Sequence, residues 1–480
     1  MSGALPDDPQ PVEGVEQLAS WLEAGCKPRP QWRVGTEHEK FGFRWRDLSP
    51  LAYDDPDGIR IILERMADRF GWQIILENNL PVALSQGDAS VTLEPGGQLE
   101  LSGAPMETIH QTHEEINTHL SQLSTVCREL DVAFLGIGVQ PKWPLESIPW
   151  MPKGRYGVMR EYLPTRGQLA LDMMTRTGTV QANLDFASEK DMVSKFRLSM
   201  ALQPLVTALF ANSPFINGRP TGFLSFRAEI WRHTDPDRCG WLPFIFQDGF
   251  GFERYVQYAL DVPMFFIQRQ GNYLAANGMT FRQFMAGNWP GERPTMGDWG
   301  LHLSTLFPDV RLKRFLEMRG ADVGNSRNIC ALPAFWKGIL YDNDAMAEAW
   351  DLVRKWSLEE RQRIHRQVPR RGLATRLPNG KNMQWLAKKI LEIARASLHR
   401  QKRCNAKGCD ESIYLNSLMT VAEKGITPAQ RMLKNYHGRW QGSVENVFSE
   451  HKIDSFIAEC RGSGETEQPS QEEENEPSES

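Results

Sequence analysis

Residues 90–102 read SVTLEPGGQLELS, and the fold turns on how this segment doubles back. Pro95-Gly96-Gly97 is a turn signal between two runs in which polar and apolar residues alternate. A three-residue loop over 95–97 sets Glu94 against Gln98 and Thr92 against Glu100. Side chains alternate along a strand, so Glu94 and Glu100 then share one face of the hairpin and Leu93, Leu99 and Leu101 the other. A two-residue loop would split the glutamates between faces. Residues 33–45, RVGTEHEKFGFRW, follow the same period and put Glu37 and Glu39 on one face. Residues 179–186, TVQANLDF, set Thr179, Gln181, Asn183 and Asp185 against Val180, Ala182, Leu184 and Phe186. In residues 311–320, RLKRFLEMRG, read as one strand, Glu317 and Arg319 lie two apart and point together.

Four strands thus each offer one apolar and one polar face. Helices packed on the apolar faces leave an open face carrying Glu37, Glu39, Glu94, Glu100 and Glu317, with Gln181, Asn183 and Arg319 among them. Neighbouring carboxylates repel, so a buried face of this kind requires cations. Hard divalent ions take oxygen ligands, and Mg²⁺ commonly bridges carboxylates to nucleotide phosphates. An arginine beside them suits a transferring phosphoryl group. The pattern points to a Mg²⁺- and ATP-dependent ligase or kinase; the plain alternative is an exposed strand face with solvated acids. No G-x-x-x-x-G-K-[ST], complete G-x-G-x-x-G or G-x-S-x-G is present. His113-Glu114-Glu115-Ile116-Asn117 has Asn where a zinc helix needs its second His, so His110, His113 and His119 read as helix-surface residues. Cys404 and Cys409 are a lone pair, too few for a structural zinc.

At the scale of the chain, 480 residues with 41% hydrophobic and 24% charged residues describe an ordinary globular protein. Of the net charge of −5, residues 461–480 account for −6, with seven Glu and one Arg. That tail of Gly, Ser, Glu, Gln and Pro cannot bury a core and is expected to be disordered. The start, MSGALPDDPQPVEG, reads as a flexible leader over 1–14. Residues 15–460 read as a single large catalytic unit. Helices are expected at 15–24, 57–70 and 106–131, and at 191–211 with a bend or break near Pro204. Within 361–407, fourteen Lys or Arg face one acid, Glu392. This basic helical segment has Trp385 as its one stacking aromatic, so a solvated helix face is favoured over a nucleic-acid surface. Seven cysteines, no basic-then-apolar leader and no run of about 18 apolar residues point to free thiols, no membrane span and a cytoplasmic protein.

WRVGTEHEKFGF (32–43) and LEPGGQLELSGAP (93–105) resemble the plant-type and proteobacterial glutamate–cysteine ligases. The likeness continues through FLGIGVQPKW (134–143), MPKGRYGVMREYLP (151–164), LDMMTRTGTVQANLDF (171–186), ALFANSPF (208–215), YALDVPMFF (258–266), GMTFRQFMAG (278–287), RLKRFLEMRGAD (311–322), ALPAFWKGILYD (331–342) and GITPAQRML (425–433). The resemblance implies an α+β, glutamine-synthetase-like catalytic fold, a curved, mainly antiparallel sheet forming a funnel with helices outside. It implies ligation of L-glutamate through its γ-carboxylate to L-cysteine with ATP, giving γ-glutamylcysteine, ADP and phosphate. This is the first step of glutathione synthesis, and a different amine acceptor is the alternative. Mg²⁺, or Mn²⁺ in its place, is the implied metal, and the chain is expected as a monomer or homodimer. Matched by motif, Glu37, Glu39, Glu94, Glu100 and Glu317 fall on the metal site, with Glu37 and Arg319 catalytic and Arg319 on the nucleotide phosphates. Arg176, Gln181, Asn183, Arg227, Trp231 and Arg282 are the substrate-binding candidates. Gln181 stands where related bacterial ligases carry histidine, and Gly178 where plant members carry a cysteine tied to redox control, so that switch is expected to be absent.

Overall fold

The computed structural model describes residues 8–454. The expected tail at 461–480 and residues 1–7 of the expected leader lie outside the described residues. The described part of the leader is held rather than loose. Val12 N donates to Pro294 O at 3.0 Å and Met296 N to Gln10 O at 2.8 Å.

One open nine-stranded sheet carries the molecule. Its strands are β1 (Val34–Arg44), β2 (Gln73–Glu77), β3 (Leu80–Gln86), β4 (Ala89–Leu93), β5 (Gln98–Ser102), β6 (Val132–Leu135), β7 (Thr179–Leu184), β8 (Val310–Leu312) and β9 (Leu316–Asp322). Their order is β8-β9-β7-β1-β5-β4-β3-β2, with β6 paired to the second half of β1. Every pairing is antiparallel. The turn at 95–97 is the three-residue loop: Thr92 stands opposite Glu100, and Glu94 N donates to Gln98 O at 2.9 Å. Gly97 sits at φ +83°, a left-handed position that favours glycine.

RLKRFLEMRG is not one strand. It is the hairpin β8–β9, turned at Lys313-Arg314-Phe315, where Lys313 N donates to Phe315 O at 2.9 Å. The turn holds no Gly, Pro or Asn, which is why alternation alone ran through it. As a result Arg311 stands directly opposite Glu317.

Seven helices position the site: α1 (Ile109–Leu130), α2 (Gly154–Tyr162), α3 (Glu189–Leu209), α4 (Phe226–Arg232), α5 (Ser326–Leu340), α6 (Leu358–Arg371) and α7 (Met383–Gln401). Thr108 opens α1 with a capping box, its side chain accepting from Gln111 N. α1, α3 and α5 pack on the sheet's apolar side, where Val91, Leu99, Val180, Leu184 and Met318 join one core running from Leu18 to Ile453. α3 is continuous through Pro204, not broken there. The carbonyl that a proline deprives of its helical donor is that of Met200, and the Trp241 indole donates to it at 3.4 Å. A second core, Phe41, Phe43, Trp143, Trp440 and Phe448 among its members, begins where β1 changes from Glu37 and Glu39 to phenylalanines.

α6 and α7 carry the basic segment. They bury Ile364, Val368, Leu386, Ile390 and Ala394 and turn most of their charge outward. His110 and His119 of α1 are buried, not surface residues; His110 Nδ1 shares a hydrogen bond with the Tyr414 hydroxyl at 2.9 Å. Free thiols stand at Cys26, Cys127, Cys239, Cys330 and Cys404, whereas Cys409 is in a disulfide, so the 404/409 pair is no zinc site. Among the described residues no helix is long and apolar enough to cross a membrane.

Candidate active site

The pairing of β1 with its neighbours assembles an acid floor. Glu39 stands opposite Glu100 of β5, and Glu37 opposite Gln181 of β7 and Ser102 of β5. Glu317 of β9 stands opposite Asn183 of β7. Glu94 joins them at the mouth of the β4–β5 turn. Glu37, Glu100 and Glu317 are buried, while Glu39 and Glu94 keep partial exposure.

The five carboxylates do not form one uniform set. Glu317 is gripped by protein cations: Arg311 Nη2 lies 2.7 Å from Oε1, Lys313 Nζ lies 3.1 Å from Oε2, and Arg319 Nη1 also donates to Oε1. Burial alone would push the Glu317 carboxyl up. Arg311, Lys313 and Arg319 outweigh it and hold the group well below the usual carboxylate range. Glu37 shares this side, with Asn183 Nδ2 donating to its Oε1 at 2.7 Å. Glu39 is the opposite case. Burial first, then Glu100 and Glu94, push its carboxyl well above the usual range, against the pull of Arg227 and Arg319. Its hydrogen bond comes from Thr179 N at 3.2 Å, and Thr92 Oγ1 donates to Glu100 Oε2 at 3.0 Å.

Arg319 lies between the two halves. Its Nη1 donates to Gln181 Oε1 at 2.6 Å, and its backbone carbonyl accepts from Arg227 Nη2 at 3.0 Å. Trp231, one turn along α4 from Arg227, places its ring 5.8 Å from the Arg319 guanidinium, and its buried indole N–H has no hydrogen-bond partner among the described residues. The structure therefore gathers Gln181, Asn183, Arg227, Trp231 and Arg319 around the floor. It does not bring Arg176 or Arg282 there. Arg176 Nη1 pairs with Asp172 at 3.2 Å on its own helix, and Arg282 lies at the surface with Nε 2.6 Å from Asp261.

Four basic residues escaped the sequence reading. Arg311 and Lys313 were hidden by the unmarked β8–β9 turn. Lys153 and Arg155, at the start of α2, reach the other end of the floor. Lys153 Nζ donates to Leu93 O at 2.9 Å, and burial, with Arg155 beside it, brings its ammonium down to about 8 against the pull of Glu94, Glu100 and Glu77. Arg155 feels Glu94 in turn, and its buried Nε has no hydrogen-bond partner among the described residues.

Among the described residues no three His, Cys, Asp or Glu side chains converge as a ready-made metal cage. Mg²⁺ does not require one, because it is usually held by one or two carboxylates plus substrate phosphates and water. The Glu39, Glu94 and Glu100 oxygens, repelling one another on one partly open face, fit such an ion. Glu317, already countered by three cations, fits it less well.

The fold recurs in a solved structure, the glutamate–cysteine ligase of Francisella tularensis in complex with AMP. The TM-score is 0.51 over 88% of this chain and 89% of that one, at 12% sequence identity, a likeness of fold. The molecule is an enzyme of the ligase class, built on the glutamine-synthetase-like fold. More narrowly, the pattern of the glutamate-cysteine ligase family 2 matches residues 33–450, and the chain belongs to that family. The chloroplastic glutamate–cysteine ligase of Medicago truncatula is 52% identical over 438 residues, 91% of this chain and 84% of that one. The chloroplastic glutamate–cysteine ligase B of Oryza sativa subsp. japonica is 51% identical over 459 residues, 93% and 90% of the two chains. That of Arabidopsis thaliana is 52% identical over 438 residues, 91% and 82%. All three are chloroplastic proteins, which overturns the cytoplasmic placement expected from the sequence.

Proposed function

We propose that the acid floor and the basic residues at its two ends carry out the family's glutamate–cysteine ligation by way of γ-glutamyl phosphate. A carboxylate does not condense with an amine at neutral pH, because its oxygen is a poor leaving group. ATP supplies a better one. The γ-carboxylate of glutamate attacks the γ-phosphate, ADP departs, and the cysteine amine displaces phosphate from the acyl phosphate.

The observation that carries this reading is the Glu39–Glu100 pair with Glu94 beside it: Glu39 makes no salt bridge among the described residues, and the pull of Arg227 and Arg319 does not offset burial and the two neighbouring acids. Glu39, Glu94 and Glu100 would hold Mg²⁺ or Mn²⁺, with Glu37 and Glu317 on the far side of the floor. Such an ion supplies charge neutralisation on the transferring phosphoryl group. Lys153 and Arg155 counter the nucleotide phosphates at one end. Arg319, fixed by Gln181 and Glu317, faces the transferred group from the other, where its planar fork holds two oxygens. Arg227 and Trp231 beside it hold the amino-acid substrate. The β-sheet floor and α4 exclude water from an intermediate that hydrolyses readily.

The test is ADP release measured with glutamate and cysteine added separately and together, then with other amines replacing cysteine. Release that needs both amino acids supports the reading. Release indifferent to glutamate would overturn it.

A further inference from the structure

The ligation leaves one chemical task with no group assigned to it. The acceptor arrives as an ammonium, and an ammonium has no lone pair with which to attack. A base must take its proton close to the acyl phosphate.

A cleft adjoins the acid floor at the edge of the sheet, lined by Arg319, Arg227, Trp231, Phe307, Asp309 and His365. His365 of α6 is the imidazole in this lining. Its Nε2 lies 2.7 Å from Asp309 Oδ2, and its Nδ1 makes no hydrogen bond among the described residues. Both side chains keep a solvent path, at 18% and 19% exposure, so the imidazole is reachable.

The pair is built into the site through the backbone. Asp309 O accepts from Arg319 N at 3.0 Å and from Gln203 Nε2 at 2.8 Å, and Asp309 N donates to Gly240 O at 2.9 Å. On the other side, Pro369, one turn beyond His365, accepts at its carbonyl from Leu224 N at 2.8 Å and Ser225 N at 3.0 Å. Ser225 caps α4, accepting from Ala228 N, so the helix bearing His365 is tied to the helix bearing Arg227 and Trp231. A carboxylate that fixes one imidazole nitrogen leaves the other aimed and basic.

We propose that His365, oriented by Asp309, is the general base that deprotonates the acceptor amine, and that the cleft beside Arg319 is the acceptor site. This rests on the ligase reading above. The ammonium gives one proton to His365 Nδ1. The freed nitrogen lone pair forms the C–N bond to the γ-carbonyl carbon, the C–O bond to phosphate breaks, and phosphate leaves with that electron pair. The second nitrogen proton leaves with the phosphate. The charged groups lining the cleft with the imidazole are Asp309, Arg227, Arg232 and Arg319. α3 brings only Pro204 and Thr207 to the cleft.

The experiment compares cysteine with hydroxylamine, an acceptor already unprotonated at neutral pH, in wild type, His365→Gln and Asp309→Asn. Wild type should form both γ-glutamylcysteine and γ-glutamyl hydroxamate. His365→Gln should lose about 100-fold in kcat/KM for cysteine at neutral pH while hydroxamate formation stays within about twofold. The acidic limb of its cysteine pH profile should move toward the pKa of the free amine. Asp309→Asn should show the same selectivity with a loss of about tenfold. Parallel loss of both products, or full cysteine turnover in His365→Gln, would overturn the assignment. Failure of wild type to form hydroxamate or dipeptide would instead overturn the ligase chemistry, and this inference with it.

Discussion

The two halves of the acid floor are made of the same side chain on neighbouring strands, yet they are opposite electrostatic objects. At the β9 end, Glu317 is fully buried and stays charged because Arg311, Lys313 and Arg319 surround it. At the β5 end, Glu39 faces Glu100 and Glu94, and its carboxyl is driven toward the protonated form. The first half is neutralised by the protein and belongs to the folded state. In the ligation proposed above, a bound cation completes the second. Counting carboxylates on a face does not distinguish a scaffold from a ligand site; asking which of them already has a counter-charge does.

The sharpest way to break this contrast is Glu39→Gln. Turnover should fall by about 1000-fold, roughly 4 kcal/mol of transition-state stabilisation. The metal-free protein should melt no lower than wild type, because a like charge has been removed. Rates titrated against Mg²⁺, beside melting curves in chelator, check both halves of the statement. Unchanged turnover would erase the distinction.

Glu317→Gln should do the reverse. Buried Arg311 and Lys313 and half-buried Arg319 would lose their counter-charge, and the metal-free protein should lose about 3 kcal/mol in urea unfolding. A gain in stability would mean that the two halves are alike. Arg319→Lys probes the seam between them. Arg319 bonds Gln181 and Glu317 through Nη1 alone, and lysine keeps the charge but loses the other guanidinium nitrogens that would hold the transferred group, so turnover should drop about tenfold with glutamate affinity little changed. Wild-type turnover would place Arg319 outside the reaction.

A carboxyl outside the floor calibrates the rest. Glu115 of α1 is a carboxyl that burial, not an acidic neighbour, raises to about 7 from 4.5, with Ala104 N donating to it at 2.8 Å. Its raised folded value means the folded state binds the extra proton, so the cost to stability is absent below about pH 4.5 and complete above about pH 7. Glu115→Gln should therefore stabilise by roughly 1–3 kcal/mol at pH 8 and by little near pH 4.5. Melting curves at the two pH values test the sign.

The legible part of this site was the part governed by period two. Glu37 with Glu39, Glu94 with Glu100, and Gln181 with Asn183 each follow from alternation, and the glycines at 96–97 set the register of one hairpin. What alternation could not show was where β8 ends, because Lys313-Arg314-Phe315 turns without any of the residues that mark turns. Arg311 and Lys313 were lost with it. Lys153 and Arg155 enter from a helix start far away in sequence. His365 lay inside a basic stretch whose average character reads as solvated surface, and one partner on another element gives it a different meaning. Arg282 erred the other way: a matching motif pointed at the site, while Asp261 holds the side chain at the surface.

Strand order also has a consequence for how the enzyme is made. β1 pairs with β7, and β7 with β9, so Glu37 and Glu317 are neighbours in space but 280 residues apart in the chain. During synthesis from the N-terminus, Glu39 can meet Glu100 once about a hundred residues have emerged, whereas Arg319 arrives last of the floor residues. The half that repels itself is thus translated long before the strand that brings Glu317 and Arg319. A nascent chain stopped short of residue 310 has Glu37, Glu39, Glu94 and Glu100 but neither Glu317 nor Arg319. On the ligation proposed above, such a chain lacks the arginine assigned to the transferred group, so phosphoryl transfer would begin only when nearly the whole catalytic unit has left the ribosome.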